Sequence, residues 1–186
     1  VPGADRLERD VTLPWLFSSR GARPAPPQAL IVSIDSQSAR RLGLPSRISD
    51  WPRSVYAQLI ERTAAAGAAV IAIDVFFARA RLGAGDGALE RAIAAAGNVV
   101  LFGRMRREVQ AMAGVAGDDQ LLVDRLYRPH RRFADKAAAV APFVLPKAPA
   151  RVDRVWLYHP AAPTLATLPA AALRVQAQGN VCPPPA

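Results

Sequence analysis

The chain has 186 residues, of which 51% are apolar, enough for one globular domain with a core of its own. Its single cysteine, Cys182, excludes an internal disulfide and a thiol-rich metal site. The two histidines, His130 and His159, have no Cys or His at ligand spacing, so neither a metal nor a cofactor is expected. The net charge of +9 comes almost wholly from arginine, Lys136 and Lys147 being the only lysines. That excess reads first as the codon bias of a GC-rich genome, and second as a preference for anionic partners.

Residues 1–28 read as an irregular lead-in. An apolar cluster (Leu7, Val11, Trp15, Leu16, Phe17) precedes the proline-rich linker RGARPAPPQ. The folded body is expected over 29–179 and a proline-rich tail over 180–186. The longest apolar run, Ala64 to Ala78, is interrupted by Gly67 and Asp74. It falls short of the roughly 20 residues of a membrane helix. The start, VPGADRLERD, has no features of a signal peptide, so an export address is expected outside this sequence.

Ala29 to Ile34 (ALIVSI) and Ala68 to Ile73 (AAVIAI) are short apolar runs that end on Asp35 and Asp74, and both predict buried strands. Between them, Val55, Tyr56, Leu59, Ile60 and Thr63 form a helical stripe that Pro52 opens and Gly67 closes. A second helix is expected to be capped by Asp86, to turn Leu89, Ala92, Ile93 and Ala96 inward, and to end at Gly97. Asn98 to Phe102 reads as a third strand.

The stretch Arg104 to Lys136, with its charged RMRREVQ and Gly-rich AGVAGDD, reads as an insertion. Strands follow at Ala139–Leu145, where Pro142 implies an edge or bulge, and at Val152–Tyr158, where alternation implies one buried face. A last helix, opened or kinked by Pro169, carries Leu173 and Val175 and ends at Gly179. The fold class is α/β, a central and mostly parallel sheet with flanking helices, completed by later strands either parallel or antiparallel.

If the first two strands are parallel, Asp35 and Asp74 lie on one carboxyl edge, where open α/β folds collect ligands. The two helix starts point there too, which gathers Asp35, Ser36, Trp51, Arg53, Asp74 and Asp86 on one rim. Three readings stay open: Arg53 as a bidentate clamp between carboxylates, a pocket for a small molecule or cation, or a catalytic site. The catalytic reading lacks support from motifs. Asp35 is followed by Ser36, Gln37 and Ser38, without the second Asp of haloacid-dehalogenase-type phosphatases. There is no G-x-S-x-G, H-E-x-x-H or P-loop pattern. The alternative enzyme is a periplasmic α/β hydrolase using Asp35 and Asp74. Nucleic acid is not an expected partner, because the arginines are scattered; Tyr127, His130 and Phe133 are the best stacking candidates.

Taken together, IVSID (31–35), Ser36, Leu42-Gly43, WPR (51–53), YAQLI (56–60), AAAGAAVIAIDVFF (64–77) and DGALERAIAAAGNVVL (86–101) resemble the type-2 CHASE domain in order and spacing. AAAVAPFVL, Arg154 to Tyr158 and PTLATLPAAAL are similar in position to that family's closing elements. Pro149-Ala150 stands where members carry Asp-Gly, and Ala141 where a glycine is usual.

The resemblance implies a non-catalytic sensor outside the cytoplasmic membrane, at the periplasm or cell surface, tethered by membrane helices. Its output would be a nucleotide cyclase, histidine kinase, Ser/Thr kinase or diguanylate cyclase. Its partner would be an unknown small ligand or protein signal, and the mechanism invites a homodimer.

Overall fold

The computed structural model describes residues 11–24, 28–111, 120–145 and 155–179. The chain divides into two compact units, Val1–Asp50 and Trp51–Ala186. The predicted tail 180–186 lies outside the described residues.

In the first unit, helix α1 spans Leu13–Arg20 and helix α2 spans Ser36–Arg41, followed by a single 3-10 turn at Ile48–Asp50. The strand predicted at Ala29–Ile34 does not form. These residues are in no ladder, and Leu30 and Ile31 are 81% and 88% exposed. An aliphatic, β-branched composition describes what fits a half-buried pleated surface, and it makes no strand without one.

The second unit begins with helix α3 (Arg53–Ala65), strand β1 (Ile71–Ile73) and helix α4 (Ala84–Ala96). Pro52 opens α3 as predicted, but the buried stripe is Arg53, Tyr56, Ala57 and Ile60, rotated from the expected one so that Val55 and Leu59 are only half-buried. Helix α4 turns Leu89, Ala92 and Ile93 inward and ends on Gly97, whose φ of 67° is the left-handed cap that glycine adopts without a Cβ penalty. Asp86 does not cap α4. The helix starts two residues earlier, with Gly83 at the cap position.

Strand β2 (Val99–Ala111) is the spine of the sheet. Its first residues pair in parallel with β1 (Ile71 opposite Val99) and, on the other side, with β4 (Ala139–Pro142; Val100 opposite Ala139). Residues 99–101 are fully buried. Val100 packs with Ala141 and with Leu168, Ala171 and Val175 of helix α6 (Leu168–Gly179), while Val99 and Leu101 turn to the opposite face. A sheet covered on both faces is what near-continuous apolar strands require. Pro142 closes β4, which pairs only with β2 among the described residues, in keeping with an edge position.

The segment read as an insertion is mostly regular. From Arg104 onward β2 pairs antiparallel with β3 (Gln120–Tyr127), forming a ribbon that continues the spine, and a short helix α5 (Arg131–Ala134) leads back to β4. Arginine-rich sequence hid this strand, because exposure on the ribbon's faces leaves no apolar alternation to detect. The strand predicted at Val152–Tyr158 also changes. Residues 152–154 lie outside the described residues, 155–157 are irregular, and the ladder consists of β5 (Tyr158–His159) against β6 (Ala162–Ala166). Fully buried Thr167 holds this turn by donating to the carbonyls of Trp156 and Leu157.

Gly103 sits where β2 changes partners, opposite Pro142 of β4 and next to the Arg104–Tyr127 pair. A Cβ there would lie 2.8 Å from Leu126 Cδ1 and 3.2 Å from Val140 Cγ1. Gly103→Val is therefore expected to cost about 2 kcal/mol by overpacking, read as a lower urea midpoint with unchanged slope.

Candidate functional site

The residues that open α3 and α4 converge with the loop between β1 and α4. Arg53, the first residue of α3, is 7% exposed, and Asp86, in the first turn of α4, is 1% exposed. Arg53 Nε lies 3.9 Å from Asp86 Oδ1, and Arg53 Nη2 donates to the carbonyl of Arg79 at 3.2 Å. Gly85 lets the helix starts approach, since a Cβ on it would touch Arg53 Cβ at 3.4 Å. The other Asp86 oxygen accepts from the Arg81 backbone N–H at 2.7 Å, while Arg81 Nη1 donates to the carbonyl of Trp51 at 2.9 Å. One carboxylate and two guanidinium groups thus lace Trp51, both helix starts and the loop 79–81 together.

Aromatic rings form the floor. The Arg53 guanidinium stands 4.5 Å from the Phe77 centroid and 5.4 Å from that of Phe133, both rings being fully buried. Phe77 meets Tyr56 edge-on at 5.3 Å and Phe133 at 5.7 Å, and its carbonyl accepts from the His130 N–H at 2.8 Å. A planar, weakly hydrated guanidinium is suited to this sandwich, and an ammonium is not. Burial and then the neighbouring Arg81 charge lower the Arg53 pKa, against which Asp86 acts; burial raises that of Tyr56. Arg53 Nη1 and Asp86 Oδ1 are buried, and neither has a hydrogen-bond partner among the described residues.

Of the six predicted rim residues, Trp51, Arg53 and Asp86 meet in this network. Asp74 follows β1, is solvent-exposed, and forms no hydrogen bond or ion pair with another described residue; partial desolvation raises its pKa. Asp35 and Ser36 belong to the first unit. There Asp35 caps α2, accepting from the Ser38 N–H at 2.7 Å and the Ser38 hydroxyl at 2.8 Å, bonds that hold its pKa below the ordinary carboxylate value. Because Ala29–Ile34 is not a strand, Asp35 is not the carboxyl end of one.

Sequence reasoning missed Arg81, Phe77 and Phe133. Two consecutive phenylalanines, Phe76 and Phe77, three and four residues past a strand's end were the available signal, since a solvated loop has no use for them. Phe133, considered above as a stacking residue for nucleic acid, is fully buried and cannot meet a base. Among the described residues no group of three or more His, Cys, Asp or Glu is placed to hold a metal, and no helix is long and apolar enough to cross a membrane.

A family model for the CHASE2 domain matches residues 2–181. No curated protein and no solved structure matches the chain. The parallel βαβ core agrees with the fold class expected from the sequence. With nearly the whole chain matched, it belongs to the CHASE2 family, a family of extracellular sensory domains that are not catalytic and are often found in signalling receptors.

Proposed function

We propose that this chain is the input domain of a bacterial transmembrane receptor, held outside the cytoplasmic membrane and coupled to a nucleotide cyclase, histidine kinase, Ser/Thr kinase or diguanylate cyclase. The observation that carries this reading is the family match over residues 2–181. Residues 29–179 would form the sensing body, with 1–28 and 180–186 as connections to membrane helices. A topology reporter fused after residue 186 of the full receptor tests the placement; a reporter active only in the cytoplasm overturns it.

Within the domain, the Arg53–Asp86 network serves as a clamp, because both charges are buried and neither is offered to solvent. Asp74 is the rim carboxylate that remains open to a signal. A ligand that binds only the folded state raises the melting temperature. A thermal-shift screen of small metabolites, cations and anions is expected to give a hit that Asp74→Asn abolishes. A hit that survives that substitution removes Asp74 from the sensing site.

Asp74 also carries a signature in pH. Its folded pKa lies above the ordinary value for an aspartate, so its favourable contribution is present below that ordinary value and lost as pH rises through the folded one. At pH 7 the ionised carboxylate therefore opposes folding. Asp74→Asn is expected to raise the melting temperature slightly at pH 7 and to leave it unchanged near pH 3, as a charge kept at the rim for a purpose other than stability would.

A further inference from the structure

The β2–β3 ribbon places paired residues on a common face. Arg104 and Arg106 of β2 share one face, and Arg106 stands directly opposite Arg125 of β3. Like charges directly opposite each other on neighbouring strands are destabilising. Among the described residues the face has one counter-charge, Glu108, which lies 3.6 Å from Arg125 and also accepts from the Tyr127 hydroxyl. Among the described residues neither Arg104 nor Arg106 forms an ion pair; each lies near an aromatic ring instead, Phe76 at 4.7 Å and Tyr127 at 5.9 Å. Arg104, Arg106 and Arg125 are all exposed. The opposite face, by contrast, is neutralised by the bidentate Arg107–Asp124 pair at 2.9 and 3.2 Å.

A face that carries three arginines against one carboxylate, on a ribbon that spans about 27 Å over eight paired positions, calls for an anionic partner that is itself extended. A second copy presenting the same face would set arginine against arginine. We propose that the Arg104, Arg106 and Arg125 face docks on an anionic lipid surface, fixing the tilt of the domain on its own membrane. The inference rests on the extracytoplasmic, membrane-tethered reading above, which puts a bilayer within reach of the ribbon.

The test is co-sedimentation of the 186-residue chain with vesicles of phosphatidylglycerol and phosphatidylcholine, compared with phosphatidylcholine alone. Wild type is expected to bind only the anionic vesicles, with an affinity that falls as salt rises. Each arginine near such a surface accounts for about a fivefold change in partitioning. Arg106→Gln/Arg125→Gln is therefore expected to weaken binding roughly 25-fold, with a melting temperature no lower than that of wild type, since the repulsion between the paired arginines is removed. A charge-matched control, Arg40→Gln/Arg41→Gln on exposed positions of α2, is expected to keep binding.

Absence of vesicle binding, equal loss in the control, or equal displacement by inorganic phosphate at constant ionic strength overturns the proposal. The first says that no membrane face exists, the second that net charge alone drives adsorption, and the third that the ribbon binds a free anion. The topology reporter keeps the two readings apart. A cytoplasmic location overturns the receptor placement whatever the vesicles show, while an external location with no vesicle binding overturns only the lipid face.

Discussion

Arg53→Ala is expected to lower the stability of the domain by about 3 kcal/mol, because it leaves the Asp86 carboxylate buried without its counter-ion. Three losses combine. Asp86 keeps its hydrogen bond from the Arg81 N–H but faces an empty space on its Oδ1 side, the Arg79 carbonyl loses a donor, and the rings of Phe77 and Phe133 lose the plane that covers them. Arg53→Lys is expected to recover only part of the loss, since an ammonium restores charge but neither the fork nor the stacking. The measurement is urea denaturation at pH 7, with the midpoint falling at constant slope. Were Arg53 instead a ligand-binding group, its removal would leave the midpoint in place and abolish a thermal shift, and that outcome would sink the clamp. Replacing Asp86 by Asn in the Arg53→Ala background completes a double-mutant cycle. Much of the cost is expected to be relieved there, because the uncompensated charge is gone.

What the sequence made legible follows how local each signal is. Helix α3 is bounded by Pro52 and Gly67, α4 ends on the glycine that its left-handed cap needs, and the parallel β1–β2 pair follows from two apolar runs joined by a helix-length connection. Ala29–Ile34 is as apolar and β-branched as the run that holds β1, yet forms no ladder, because pairing is a property of two segments and composition belongs to one. The ribbon was hidden for the converse reason. Its residues are charged on both faces, so nothing in RMRREVQ marks it as strand until QLLVDRLY is laid beside it. Half of the site was legible. Trp51, Arg53 and Asp86 lie near helix starts, where function and structure both collect charge. Arg81 was not, since its tie to Asp86 runs through a backbone N–H that any residue there would supply.

Phe77→Ala is expected to cost about 3 to 5 kcal/mol, as truncation of a fully buried aromatic does. The size of the effect separates two views of the segment after Asp74. If 75–83 were a solvated loop, a change in it would cost little; as the floor beneath Arg53, it should behave as core. Phe77 touches Tyr56 of α3, Phe133 of α5 and the Arg53 guanidinium, and its carbonyl receives the His130 N–H. Losing its ring therefore loosens three elements at one point. Phe77→Leu, which keeps most of the apolar volume but not the ring face, is expected to cost less than half as much. The two largest changes must also be coupled. Arg53 and Phe77 are in contact, so the Arg53→Ala/Phe77→Ala double variant is expected to fall short of the sum of the single losses by about 1 kcal/mol or more. Strict additivity in the urea midpoints would mean that the guanidinium and the ring act independently, and the clamp would then reduce to its ion pair with Asp86 and its hydrogen bond to the Arg79 carbonyl.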